Sequence, residues 1–152
     1  MTTTFITRET ARDGIAALFV ADGSWQKVFG YIPTEDEIDG QEPLLIIMSG
    51  GTEQGMAGSN MNPTKYNFIL TSLIKMDDTD VGGSSGAALA ENKLDELGLK
   101  FRQVVRDNPT AGAFADALTF QDNASQTDTI TLYDVLYRTE QWTLTAHLYS
   151  GA

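Results

Sequence analysis

The chain has 152 residues and a mass of 16.5 kDa, which suits one domain with a buried core and is too short for two ordinary domains. It has 0 cysteines and 1 histidine, which excludes disulfides, thiolate metal sites and a zinc site of several imidazoles within one chain. Its 21 acidic and 10 basic residues give a net charge of −11, and this charge disfavours binding to nucleic acid or to anionic lipid by charge neutralisation. From the chain length, residues 1–152 are expected to form a single domain. No apolar run approaches the ~20 residues of a membrane helix, so no membrane partner is expected.

The N-terminal part of the chain predicts a helix followed by two strands. Apolar residues recur at helical spacing over Arg8–Ala21, with Thr7 placed to cap the first turn and Gly23 placed to end the helix. Trp25–Ile32 alternates as a strand does, and Leu44–Met48 is an apolar run typical of a strand covered on both faces.

Three connecting segments separate the elements in the middle of the chain. Thr34–Pro43 is bounded by prolines and holds five acids, so it is predicted to be a connecting loop. Ser49–Thr64 is rich in glycine and asparagine and predicts a long flexible loop, which in a compact domain is usually functional or disordered. Tyr66–Met76 predicts a strand in which the alternation shifts near Leu73, as at a β-bulge. Asp77–Gly86 predicts a second glycine-rich loop.

The strongest periodicity in the chain lies over Ala87–Arg106. Its apolar residues begin at Ala87 and recur at helical spacing, and charged residues fill the opposite face. Ser84 or Ser85 is placed to cap this helix, and Asn108 with the following proline is placed to end it. Such a helix needs a flat apolar surface to pack on.

The C-terminal part of the chain predicts a short strand and a hairpin. The short strand is Ala117–Gln121, and the hairpin joins Thr129–Arg138 to Gln141–Tyr149 around Thr139 and Glu140. Strands in succession on either side of one long helix favour the α+β class. We therefore expect a mainly antiparallel sheet with the long helix and the N-terminal helix packed on one face.

No group of residues satisfies the pattern of a known catalytic, cofactor or metal site. The glycines of Gly50–Gly58 lack the Lys and Ser/Thr of a phosphate loop, and the acids of Asp77–Gly82 fail the register of a calcium loop. His147 alternates with apolar strand residues, and Glu35–Glu37 lies in a segment that favours solvation. Asn123–Ser125 matches a glycosylation sequon, to which we give no weight. We accordingly assign no catalytic, cofactor-binding or metal-binding residue.

The whole-chain order of elements, ending in the tyrosine-rich segment Leu132–Arg138 and the strand Gln141–Tyr149, resembles the tail terminator (tail completion) proteins of long-tailed bacteriophages. The resemblance implies a non-enzymatic virion protein of the tail or neck that forms a homohexameric ring. Such a ring caps the tail tube, stops its polymerisation and joins it to the head connector. It implies no cofactor, and DNA that passes nearby without specific binding. The loops Ser49–Thr64 and Asp77–Gly86 would contact neighbouring subunits or the tube.

Two other classes of function remain open on the sequence. One is a small-molecule-binding or enzymatic α+β domain with its site between the sheet and the Ser49–Thr64 loop, which would require a concave pocket near Gly50–Gly58. The other is a host-directed inhibitor or DNA mimic, which would use the net charge of −11.

Overall fold

The computed structural model describes residues 6–38, 42–54, 61–76, 86–109, 117–120 and 125–151. These residues form three helices and six strands, in the order α1 (Arg8–Asp22), β1 (Lys27–Phe29), α2 (Glu35–Ile38), β2 (Leu44–Gln54), β3 (Met61–Lys75), α3 (Gly86–Asp107), β4 (Ala117–Phe120), β5 (Gln126–Leu132) and β6 (Val135–Gly151). The predicted α+β class is confirmed, as are the long helix and the N-terminal helix.

All six strands belong to one sheet, in the order β1-β2-β3-β6-β4, with β5 also paired to β6. Only β1 and β2 run parallel; the other pairings are antiparallel. β6 is the central element because β3 pairs with it from Tyr137 to Gly151 on one side, while β5 and β4 share its other side.

Both long helices pack on one face of the sheet and bury most of the core there. Alternation along β2 sends Leu45 and Ile47 to this face and Leu44 and Ile46 to the other. All four side chains are buried, which confirms the prediction of a strand covered on both faces, and coverage ends at Met48, which is 41% exposed.

A row of four aromatic rings ties the helices to the sheet. Trp25 meets the edge of Phe19, Phe19 stacks on Phe101, and Phe101 stacks on Trp142 with centroids 4.1 Å apart. Large buried rings in offset contact supply both area and orientation. The row therefore links the N-terminal helix, the long helix and the central strand in one core.

The opposite face is covered over part of its area by α2 and by the β5–β6 turn. Tyr133 Oη donates a hydrogen bond of 2.8 Å to the Pro33 carbonyl, which fastens the turn to the segment before α2. The buried residues beneath are Phe29, Ile38, Leu44, Ile46, Leu73 and Tyr137. The predicted loop Thr34–Pro43 thus contains a short helix whose one apolar side chain, Ile38, is buried.

The predicted helix ends are confirmed where the structure describes them. The Thr7 hydroxyl accepts the backbone N–H of Thr10, and Gly23 takes the left-handed conformation at φ 77°. Asn108 Nδ2 donates to the Val104 carbonyl at 2.8 Å, closing the end of α3. The assignment of Ala87 to the apolar stripe is wrong: it is exposed, and Gly86 is buried instead. Ser84 and Ser85 lie outside the described residues.

The predicted loop Ser49–Thr64 is wrong at both ends, and its middle, residues 55–60, lies outside the described residues. β2 continues to Gln54 and β3 begins at Met61, so both ends of this segment are paired strand. Gly50 and Gly51 belong to a bulge rather than a loop, because the register shifts by one residue between Ser49 and Gly51, and Gly51 has a φ of 119°. A residue with a β-carbon, whether alanine or a larger one, would not adopt that φ without strain.

The predicted shift near Leu73 is wrong as well, since the pairing of β3 with β6 runs without interruption from Met61 to Lys75. Ser72 takes a place on the helix-covered face and is fully buried. Its hydroxyl accepts a hydrogen bond of 2.7 Å from Trp25 Nε1. Because Ser72 is polar, it interrupts the apolar alternation of β3 in sequence, although its hydroxyl is hydrogen-bonded within the core.

The predicted hairpin turn at Thr139 and Glu140 is six residues too late. The chain turns at Tyr133 and Asp134, which have φ values of 50° and 62°. Two consecutive positive φ values define the tight turn that matches strand twist, and the usual Asn-Gly signal is absent here. Thr139 is buried inside β6.

The first strand is shorter than predicted. Lys27–Phe29 replaces the expected Trp25–Ile32, because only these three residues pair with β2, at Leu44 to Ile46. The short strand Ala117–Gln121 is confirmed as Ala117–Phe120.

Candidate functional site: the open edge of the sheet

One edge of the sheet is formed by β4 and β5, which lie end to end along β6. Phe120 pairs with Leu144, and Gln126 pairs with Gln141. From Phe120 to Gln126 the chain advances six residues, whereas their partners on β6, Leu144 and Gln141, are three residues apart. The pairings of β4 and β5 with β6 therefore differ in register by three residues. β5 is therefore a separate seven-residue edge segment.

The outward backbone groups of β5 follow from its two-residue turn. Leu132 and Val135 close the hairpin as a hydrogen-bonded pair, and such pairs alternate along an antiparallel ladder. Thr127, Thr129 and Thr131 then direct their N–H and C=O groups away from β6. In agreement, the Thr129 N–H donates to Asp128 Oδ1 at 2.7 Å.

Among the residues that the structure describes, no strand pairs with the outer side of β5, and β5 carries few of the features that usually protect such an edge. Natural edge strands are blunted by proline, lysine, bulges or a covering element. Six of the seven residues of β5 are exposed, and the strand has no proline and no lysine, with Asp128 as its one charge. Within β5, protection reduces to the Asp128 carboxylate, which occupies the N–H of its neighbour.

Exposed apolar side chains lie on both faces of this hairpin. Ile130 is opposite Tyr137 and shares its face, whereas Leu136 is on the helix-covered face, opposite Thr131. Ile130 and Leu136 are 36% and 42% exposed. A strand added to β5 would contact Ile130 directly on one face and the threonines of β5 on the other, with Leu136 one strand further in.

The hairpin is held firmly by the body of the domain. Arg138 Nε donates to Glu91 Oε2 of α3 at 2.7 Å, and Arg138 Nη1 donates to the Asp128 carbonyl at 2.9 Å. The hydrogen bond from Arg138 lowers the pKa of the Glu91 carboxyl. These bonds connect the edge strand to the long helix through Arg138.

Glu140 lies in β6, where this strand packs against the long helix at Gly98. Its carboxylate is half-buried against Gly98, where a β-carbon would stand 2.8 Å from Oε1. Burial raises the pKa of Glu140, while a hydrogen bond from Ser125 and the charge of Arg102 act in the opposite direction. Gly98 is thus the residue that makes room for a carboxylate beneath α3.

The sequence candidates are dispersed over the structure. Glu37 accepts hydrogen bonds from Tyr31 and from the Thr34 backbone, which lower the pKa of Glu37, the direction opposite to that of a general acid. His147 lies on β6, paired with Lys65 and Ala117. Segments 77–85 and 121–124, with the second predicted loop and most of the sequon, lie outside the described residues.

The described part of the chain has neither a metal-binding cluster nor a membrane-spanning helix. In that part of the chain, no three His, Cys, Asp or Glu side chains gather as a metal site would need. No helix described there is long and apolar enough to cross a membrane.

The β5 edge was missed by the sequence analysis because an exposed strand of alternating threonines has no apolar face to mark it. Comparison with known proteins adds no family: no protein-family model matches the chain, and no curated protein is significantly similar to it.

Proposed function

We propose that the protein is a non-enzymatic structural subunit of a virion, similar to a phage tail terminator, that assembles with copies of itself into a homohexameric ring. The ring caps the tail tube and joins it to the head connector, in the tail or neck of the particle. The observation that carries the proposal is the open β5 edge, with outward backbone groups at Thr127, Thr129 and Thr131.

Strand addition to an exposed edge is a recognised mode of protein association, in which backbone hydrogen bonds give affinity and flanking side chains give specificity. The β5 edge offers outward backbone groups, the exposed apolar side chain of Ile130, and a connection to α3 through the hydrogen bond from Arg138 to Glu91. These are the properties that a repeated subunit contact needs.

The charge of the chain agrees with a position beside DNA. Glu35 and Asp36 are exposed on α2, and carboxylates at a surface repel phosphates rather than bind them. The alternative of a small-molecule site in the Ser49–Thr64 loop loses much of its premise, because both ends of that segment are paired strand.

The experiment is sedimentation velocity on the wild type and on Thr131→Pro, over a range of protein concentrations. Proline at position 131 removes an outward N–H and leaves the bonds to β6 intact. We expect a hexamer for the wild type and smaller species for Thr131→Pro with unchanged circular dichroism. The matched control is Thr131→Val, which keeps the backbone N–H and a β-branched side chain, and which should assemble normally.

A wild type that remains monomeric at every concentration, alone and with tail tube protein, would refute the ring. Assembly of Thr131→Pro equal to that of wild type would refute the edge as its contact.

A further inference from the structure

We infer that Arg8 and Arg12 of α1, together with the Ser49 and Thr52 hydroxyls of β2, form a binding site for an oxyanion, a phosphate or carboxylate group. This site is independent of the β5 edge and of ring assembly. It lies on the helix-covered face, near the start of α1.

Both arginines extend from one side of α1 onto the same strand. Residues four apart are neighbours on a helix surface. Arg12 Nη1 donates to Ser49 Oγ at 3.1 Å, and Arg8 Nη1 donates to Thr52 Oγ1 at 3.3 Å. Two positive charges are thereby collected over two neutral hydroxyls.

Arg12 is incompletely satisfied by the protein. Its Nε is buried and has no hydrogen-bond acceptor, and among the described side chains it is the one buried polar atom in that position. Gly30 lies against it, with the place of a β-carbon 3.4 Å from Nε, and has no side chain to supply an acceptor. A buried unsatisfied donor costs about 1–3 kcal/mol, and more when it is charged, so its presence in a stable fold calls for a compensating group.

The positions of the two arginines on α1 favour an added anion. Like charges four residues apart on a helix repel each other, and a cation at a helix N-terminus opposes the helix dipole. Within the ranges that the structure describes, neither Arg8 nor Arg12 forms an ion pair with a carboxylate, although the chain has 21 acids. An oxyanion at the guanidinium groups would neutralise both charges and accept several N–H donors at once.

The test is a titration of the ¹⁵N-labelled protein with inorganic phosphate at constant ionic strength, with chloride as the balancing salt. We expect saturable shifts of the Arg12 Nε–H signal and of the Ser49 and Thr52 amides. Arg12→Gln should weaken phosphate binding by about tenfold or more, since it removes charge-assisted hydrogen bonds. Arg106→Gln, at an exposed arginine of α3, should leave binding unchanged.

A parallel titration with acetate distinguishes the source of the oxyanion. Saturation by phosphate alone assigns the site to a phosphate group, whereas comparable saturation by acetate assigns it to a carboxylate, such as an acidic side chain of another molecule. Arg8→Gln repeats the test on an exposed side chain if Arg12→Gln changes the fold. Absence of saturable shifts with both anions, or binding that both substitutions leave intact, would overturn the inference.

Discussion

Replacing Ser72 by alanine should destabilise the protein by far more than an ordinary Ser→Ala change. The Ser72 hydroxyl is fully buried and accepts a 2.7 Å hydrogen bond from Trp25 Nε1, on an indole that is 3% exposed. Without the hydroxyl, the indole N–H is left in an apolar core beside Phe19. An unsatisfied buried donor of this kind costs about 1–3 kcal/mol. Since about 1 kcal/mol shifts Tm by roughly 2–4 °C at this chain length, we expect Tm to fall by about 2–12 °C.

The assay is urea unfolding followed by circular dichroism and tryptophan fluorescence, with the free energy of unfolding taken from linear extrapolation. The slope with denaturant should stay constant, because the fold and the surface exposed on unfolding do not change. The matched control is Ser24→Ala, at a half-buried serine next to the same tryptophan, and it should alter stability by less than about 0.5 kcal/mol.

A double-mutant cycle separates the hydrogen bond from the loss of packing. Trp25→Phe removes the donor, so Ser72→Ala should cost less in that background, with a coupling of about 0.5–3 kcal/mol. The reasoning fails if Ser72→Ala costs the same with and without Trp25, or if it costs no more than Ser24→Ala.

Two further substitutions test the hairpin and its junction with α3. Because burial raises the pKa of Glu140, the neutral form is favoured by folding, so the wild type should lose stability as pH rises from about 4.3, the usual Glu pKa, through the raised folded value. Glu140→Gln should remove this slope in unfolding curves measured across that range, and an unchanged slope would contradict the assignment. Asp134 has a φ of 62°, so Asp134→Gly should be more stable than Asp134→Ala by about 1 kcal/mol, and equal stability in urea would argue against the left-handed turn.

The helices and the sheet class were predictable because their signals are local. α1 is predicted by a capping threonine, an apolar stripe and Gly23. The threonine and the glycine each determine backbone geometry within one turn. The stripe of α3 from Ala90 to Val105 is long enough to exclude a strand. The strands followed from alternation and β-branched content.

Register and strand ends were not predictable from such signals, since they depend on partners distant in sequence. β1 is limited to Lys27–Phe29 because only these residues pair with β2, and β6 is long because its residues from Tyr137 to Gly151 pair with β3. Ser72 interrupted the apolar pattern, although its partner is Trp25, 47 positions away. The turn at Tyr133 and Asp134 lacks glycine, so no local signal distinguishes it from the predicted turn at Thr139 and Glu140.

Gly50 and Gly51 of β2 form a bulge that determines which side chains face α1. In a regular strand, residues three apart point to opposite faces, so Ser49 and Thr52 would be separated by the sheet. The one-residue bulge between Ser49 and Gly51 returns Thr52 to the helix-covered face, opposite Tyr66, as Ser49 is opposite Phe68. Gly50 is needed because a β-carbon there would stand 3.3 Å from the Asn67 carbonyl oxygen, and Gly51 is needed for its φ of 119°. The glycine pair that suggested a flexible loop therefore places the two hydroxyls under Arg8 and Arg12, and the oxyanion site depends on the bulge that it permits.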